Sequence, residues 1–159
     1  MYSTLNHFES IEECKKYYIS EYCSQEIYTH TGMKVTFDEQ TFEHAFFERK
    51  NRRSNIKPIF SELRSERIDW IKKVLQDKSL FIYKGWDSKK RRYDESRRVT
   101  MMTEKGYVVV VRITNQRENT GDFVTAFIID ENNVKSKIRN SPVVYNPEIC
   151  LLYTSDAAD

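Results

Sequence analysis

The hydrophobic period of the chain changes once, close to Asp77, and this change constrains the fold more than any other feature. Before Asp77, apolar residues recur at intervals of three and four, which is the helical pattern. After it, they alternate with polar residues and are rich in Val, Ile, Phe, Tyr and Thr, which favours strands. Helices followed by an antiparallel meander are typical of an α+β domain. We therefore expect N-terminal helices packed on one face of a four-stranded antiparallel β-sheet, with a short C-terminal helix.

The N-terminal half is predicted to hold three helices and one short strand. Asp38 has the residue type preferred at a helix N-cap. Pro58 disfavours helix in the residue before it, so the basic stretch 51–58 is expected to be irregular. The helices are predicted at residues 8–24, 38–50 and 61–76, and the short strand at 34–37.

The C-terminal half is predicted to hold the sheet. Strand-like segments occupy residues 79–84, 97–103, 107–114 and 123–129, and a helical segment covers 130–140. We expect one α+β domain over residues 33–149, preceded by a helical extension at 1–32. Residues 150–159, CLLYTSDAAD, resemble the translated read-through of a sequencing adapter, and we expect them not to belong to the native protein.

Composition excludes several classes of protein. The longest aliphatic run, Val108–Val111, is far below the roughly 20 residues of a membrane helix, and the acidic N-terminus is unlike a signal peptide. We therefore expect a cytoplasmic protein without a membrane partner. Cys14 and Cys23, even with His7 and His30, fit no usual zinc spacing, and no nucleotide-binding or hydrolase motif occurs. We expect no metal and no cofactor.

Charge is distributed unevenly along the chain. Residues 1–48 carry 3 basic and 9 acidic side chains, whereas residues 49–98 carry 17 basic and 7 acidic ones. A middle third with a net charge of +10 is typical of a surface that meets phosphates. Solvated helix faces and a lysine-rich hairpin are the alternative interpretation.

Arg67 and Arg49 interrupt apolar stripes on two predicted helices. On a helical wheel, Arg67 falls among Leu63, Trp70 and Val74, and an arginine directed at a core requires a partner. Such an arginine either forms a structural salt bridge or binds a phosphate in two-pronged geometry. Two such arginines on neighbouring helices favour a pocket that binds an anion.

Three further groups carry candidate chemistry. His44 is the best candidate for a general acid or base near neutral pH, although a surface histidine is the simpler interpretation. Arg112 and Thr125 lie among aliphatic strand positions and could flank one phosphate on an uncovered sheet face. Basic residues interleaved with aromatic ones suit single-stranded nucleic acid, or else form a solvated hairpin tip. This group comprises Lys84, Lys90, Arg91, Arg92, Arg97 and Arg98.

The order of several segments resembles phage and mobile-element proteins of the barnase–EndoU–colicin–RelE fold of metal-independent ribonucleases. The resemblance covers residues 33–142, and the segments E-R-I-D-W-I at 66–71 and F-V-T-A at 123–126 carry most of it. The other matching segments are Phe37-Asp38, Phe42-Glu-His44-Ala-Phe46, Tyr83-Lys-Gly-Trp86, Tyr93-Asp-Glu-Ser-Arg97-Arg98 and Tyr107-Val-Val-Val-Val-Arg112.

The resemblance implies a toxin-like endoribonuclease that cleaves RNA by attack of the ribose 2′-hydroxyl, leaving a 2′,3′-cyclic phosphate. It implies His44 as base or acid, Arg67 and Arg98 as phosphate ligands, and Thr125 as a hydrogen-bond donor. Tyr107 or an arginine would supply the second acid–base group. A cognate immunity protein is an implied partner. The alternative is an RNA-binding module without catalysis.

Overall fold

The computed structural model describes residues 2–49, 57–87, 91–93, 98–129 and 132–148. The first helix forms because Ser10 caps it: the Ser10 hydroxyl accepts a hydrogen bond from the Glu13 amide at 3.1 Å. Cys14, Tyr18 and Tyr22 lie on its buried face. The elements of this half are α1 (Ile11–Tyr18) with a π-helical turn (Ile19–Cys23), β1 (Ile27–Tyr28), β2 (Lys34–Thr36), a 3-10 turn (Glu39–Thr41), α2 (Phe42–Ala45), β3 (Phe47–Glu48), β4 (Ile59–Phe60), α3 (Glu62–Glu66) and α4 (Ile68–Gln76).

The helix expected at 38–50 is much shorter in the structure. Asp38 does cap its start, because its carboxylate accepts from the Gln40 amide at 2.7 Å. The helix nevertheless ends at Ala45, because Phe47 pairs with Phe60 in the β3–β4 ribbon and packs on its ring. Aromatic residues favour such pairing over helix.

The helix expected at 61–76 is broken at Arg67. Arg67 has φ −103° and ψ 18°, so α3 and α4 do not share one helical phase. As a consequence Leu63 is 57% exposed, whereas Ile71 and Val74 of α4 are fully buried. The wheel that placed Leu63 in one buried stripe with Val74 was therefore wrong, although the Arg67 side chain is largely buried, at 16% exposure.

The predicted α+β class is confirmed, but the sheet has seven strands, not four. The four predicted strands form its antiparallel centre in the order β10 (Thr120–Ile128), β9 (Tyr107–Asn115), β8 (Arg98–Met102) and β5 (Ile82–Lys84). Shorter strands extend both edges: β1 and β2 lie beyond β10, and β11 (Val143–Tyr145) lies beyond β5. Strand β2 is the short strand predicted at 34–37, and it joins β10 in parallel, whereas β1 and β11 were not predicted. The remaining elements are β6 (Trp86–Asp87), β7 (Arg92–Tyr93) and α5 (Asn132–Arg139).

The two faces of the sheet have different coverings. Val99, Met101, Val109, Val111 and Phe123 face the main core together with the buried side chains of α1, α2 and α4. The opposite face carries a smaller cluster, in which α5 packs over Met102, Val108 and Ile129. Helix α5 covers only that end of the face, and the candidate site lies toward the other end.

Residues 2–32 share the main core with the rest of the chain. Tyr18 and Tyr22 of this segment are buried against Phe37, and β1 pairs with β2 in register Ile27 to Val35. The domain boundary at residue 32 stays a prediction, and the C-terminal segment 150–159 lies outside the described residues. None of the helices in the described ranges combines the length and apolar character that crossing a bilayer requires.

Candidate nucleic-acid site

A row of polar residues crosses four strands at the uncovered end of the sheet. Arg98 on β8 pairs with Arg112 on β9, which pairs with Asp122 on β10, which in turn pairs with Thr36 on β2. Arg112 donates from Nη2 to the Asp122 carboxylate at 3.0 Å. A register shift between Phe123 and Thr125 then brings Thr125 opposite Val110. Because side chains alternate along a strand, Thr125 lies on the same face as the arginine row.

This row lines a hollow of about 390 Å³. Its floor is the polar row, and its wall is the 3-10 turn with the start of α2. The lining residues are Thr36, Asp38, Gln40, Thr41, His44, Arg98, Arg112, Asp122, Phe123 and Val124.

A larger groove of about 970 Å³ adjoins the hollow. It lies between α2, the β3–β4 ribbon and β10, and it shares Gln40 and His44 with the hollow. The side chain of His44 is exposed and lines both the groove and the hollow. The groove is lined by Gln40, Glu43, His44, Phe47, Glu48, Arg49, Pro58, Arg64, Thr125 and Phe127.

Arg64 organises the groove, although the sequence analysis did not select it. Its Nη1 donates to the carbonyl oxygens of Ala45 and Phe47 at 3.0 and 3.3 Å, and its Nε donates to the Glu48 carboxylate at 3.2 Å. The guanidinium also lies 5.6 Å from the centre of the Phe127 ring. These contacts fix the guanidinium at the C-terminal end of α2, where a positive charge is favourable. One signal in the sequence points to Arg64: it lies three residues before Arg67 on the helix predicted at 61–76, and therefore on nearly the same face of that helix.

Arg67 lies away from the groove. Its Nη1 donates to the Leu63 carbonyl at 2.9 Å and to the Glu66 carboxylate at 3.3 Å, and its guanidinium lies 5.0 Å from the Trp70 ring centre. Its Nε is buried without a hydrogen-bond partner in the described part of the chain. Arg67 lines neither the groove nor the hollow.

Tyr107 also fails to reach the groove. The side chain is 2% exposed, and its hydroxyl donates to the Arg67 carbonyl on the helix-covered face of the sheet. Burial raises the pKa of this hydroxyl well above its ordinary value. Tyr107 is thus not placed to exchange protons with a ligand in the groove.

The remaining predicted residues divide between the site and other surfaces. Arg49 lines the groove, as do His44 and Thr125, whereas Arg98 and Arg112 line the hollow. Lys84 lies half-buried on β5, and Arg91 and Arg92 are exposed at and beside the β6–β7 ribbon. Lys90 and Arg97 lie outside the described residues.

The charges that line the two depressions are mixed. Glu43 is bound by Lys15 at 2.9 Å, Glu48 by Arg64, and Asp122 by Arg112. Asp38 caps the following turn through its carboxylate. Within the described ranges, no hydrogen bond or ion pair engages the side chains of His44, Arg49, Arg98 or Thr125. These are the groups that a bound anion could meet without breaking an existing contact.

No group of three His, Cys, Asp or Glu side chains among the described residues could hold a metal ion. No family model, no curated protein and no solved structure matches this chain.

Proposed function

We propose that this protein is a metal-independent endoribonuclease of the barnase–EndoU–colicin–RelE class, toxin-like in action and working on RNA in the cytoplasm. The observation that carries the proposal is the position of His44. It lies where the groove and the hollow meet, with Glu48, Arg64 and Thr125 on one side and Arg98 and Arg112 on the other. A proton-exchanging side chain between cationic groups suits the cleavage of a phosphodiester.

Glu48 supplies the second acid–base group. It lines the groove with His44, and the hydrogen bond from Arg64 Nε holds its carboxylate in one orientation. An ionised carboxylate can accept a proton, and a protonated imidazole can donate one. We therefore assign Glu48 as the base and His44 as the acid.

The proposed reaction is an internal displacement at phosphorus. Glu48 accepts the proton of the ribose 2′-hydroxyl while the 2′-oxygen bonds to the adjacent phosphorus. The bond from phosphorus to the 5′-oxygen breaks, and His44 donates its proton to that oxygen. The products are a 2′,3′-cyclic phosphate and a free 5′-hydroxyl, so protons and bonds balance.

Arg64 and Thr125 stabilise the developing negative charge. The Nε and Nη1 atoms of Arg64 are engaged by protein oxygens, and its Nη2 remains to meet a phosphate oxygen in the groove. The Thr125 hydroxyl lines the same groove and can donate to a second oxygen. In this proposal Arg64 takes the phosphate-binding role that the resemblance assigned to Arg67.

The test is cleavage of RNA by the full chain in the presence of EDTA. We expect His44→Ala to lower the rate at least about a hundredfold, which is the effect of losing a general acid. His7→Ala is the matched control, because His7 is also exposed but lines a separate small pocket. RNA binding without turnover would instead identify a non-catalytic RNA-binding module. Growth arrest on expression, relieved by His44→Ala, would support the toxin-like action.

A further inference from the structure

The opposed arginines Arg98 and Arg112 form a like-charge pair within the sheet. They are direct partners across β8 and β9, so their Cβ atoms are about 5 Å apart. Like charges in this position destabilise a sheet. The backbone does not let Arg98 move away, because the Gly85 amide donates to the Arg98 carbonyl at 2.8 Å. A Cβ at Gly85 would lie 2.5 Å from that of Arg98.

Carboxylates offset this charge from one side only, as far as the described residues show. Asp122 binds Nη2 of Arg112, but it lies two strands from Arg98, which is about 10 Å between backbones. Asp38 lines the same hollow, but its carboxylate is engaged as the cap of the 3-10 turn. Among the described residues that line the hollow, none supplies a carboxylate on the β8 side of the pair, and an anion bound there would relieve the repulsion.

The spacing along the sheet indicates what kind of anion fits. Thr125 pairs with Val110 on the neighbouring strand, and Arg112 lies two residues farther along β9, so their backbones are about 7 Å apart along the strand and about 5 Å apart across it. This separation is comparable to the step between consecutive phosphates in a polynucleotide chain. A chain whose scissile phosphate lies beside Thr125 would therefore bring its next phosphate to the arginine pair.

We infer that Arg98 and Arg112 form a second phosphate subsite, which binds the phosphate next to the scissile one in a single RNA strand. The inference rests on the proposed function and adds the substrate class: a strand with at least two adjacent phosphates. His44, which lines both depressions, lies between the two phosphates. Arg98 and Arg112 are positioning residues for this strand.

The first experiment compares minimal substrates. The wild-type full chain is assayed on a mixture of all ribodinucleoside monophosphates, and on the same mixture carrying one extra phosphate at the 5′ or the 3′ end. We expect the extra phosphate at one end to raise kcat/KM by at least about tenfold, the effect of one charge-assisted hydrogen bond. In Arg98→Gln we expect the ratio of kcat/KM with the extra phosphate to kcat/KM without it to fall to about one. Arg98→Lys should keep part of the wild-type ratio. Arg117→Gln, an exposed arginine in the β9–β10 turn, keeps the full ratio.

The second experiment separates this inference from the proposed function. Binding of a non-cleavable 2′-O-methyl hexanucleotide mixture is measured by fluorescence anisotropy at several salt concentrations, and circular dichroism verifies that the variants are folded. We expect Arg98→Gln to weaken binding about tenfold and to reduce the salt slope by about one, relative to Arg117→Gln. If this occurs while the wild type cleaves no substrate of the first experiment, Arg98 binds a phosphate of the strand but the nuclease assignment is wrong. If the wild type cleaves without preferring the extra phosphate, or if both variants bind alike, the subsite is wrong.

Discussion

The guanidinium of Arg64 and the carboxylate of Glu48 hold one another across the groove wall, with Nε 3.2 Å from the carboxylate oxygen. The same guanidinium binds the Ala45 and Phe47 carbonyls, where α2 ends and β3 begins. One side chain therefore stabilises the end of α2, the helix that carries His44, and orients the Glu48 carboxylate in the same groove. Stability and chemistry are coupled at this position.

Replacing Arg64 should test that coupling. Arg64→Leu removes three hydrogen bonds, and we expect a loss of about 1–3 kcal/mol in the free energy of unfolding. Urea denaturation measures this loss. Arg139→Leu is the control, because Arg139 is an exposed arginine whose side chain makes one hydrogen bond among the described residues, to the Glu104 carbonyl. Equal stability of the two variants would contradict the role given to Arg64.

Glu48→Gln should separate the base from the acid. The amide keeps the size of the side chain and can still accept from Arg64, but it cannot take a proton from a hydroxyl. We expect cleavage to fall about a hundredfold. Glu43→Gln, on the same groove, is the control. A loss of that size in Glu43→Gln, with Glu48→Gln as active as the wild type, would assign the base to Glu43.

His30 should make the stability of the fold pH-dependent. Its Nε2 is buried without a partner among the described residues, and its ring lies 4.6 Å from that of Tyr145. Burial lowers the pKa of His30. The nearby charge of Asp77 raises this pKa and the charge of Lys78 lowers it, and the net shift is downward. The unfolded chain then binds the proton more readily, so stability is full above the unfolded pKa of about 6.5 and falls as pH drops below it.

Thermal melts at pH 7 and pH 5 test this expectation. We expect Tm of the wild type to fall between these pH values, and the fall to be smaller in His30→Leu, which has no imidazole to protonate. Asp77 does not titrate between pH 7 and pH 5. Burial raises its pKa, but hydrogen bonds from Ser79 and Tyr2 lower it, and the net shift is below the ordinary value of 3.8. An identical fall in wild type and variant would show that His30 is not responsible.

The long central strands β9 and β10 could be predicted because their nine residues are rich in β-branched and aromatic side chains. The short strand β2 was also predicted, at 34–37, but its parallel pairing with β10 was not, because that pairing is a long-range contact. The edge strands β1 and β11 were missed, since two or three residues carry no period of their own. The length of the helix predicted at 38–50 was overestimated, because its end depends on a tertiary contact. The pairing of Phe47 with Phe60 depends on a segment far along the chain, which no local pattern reveals.

The candidate site was predicted in part. His44, Thr125, Arg49, Arg98 and Arg112 were selected from the sequence, and all five line two adjoining depressions. Arg67 was selected on a continuous helical wheel, which the break at Arg67 itself invalidates. Arg64 was not selected, because its neighbours across the groove are set by tertiary contacts.

The most direct measurement of the central claim is the chemistry of the cleaved end. RNA incubated with the full chain in EDTA is analysed by mass spectrometry, beside the same RNA with a single 2′-deoxy nucleotide at the mapped cleavage position. We expect a 2′,3′-cyclic phosphate from the unmodified RNA, and no cut at the 2′-deoxy position, because the attacking hydroxyl is missing there. Cleavage of the 2′-deoxy strand at that position, or a linear phosphate as the first product, would contradict attack by the 2′-hydroxyl.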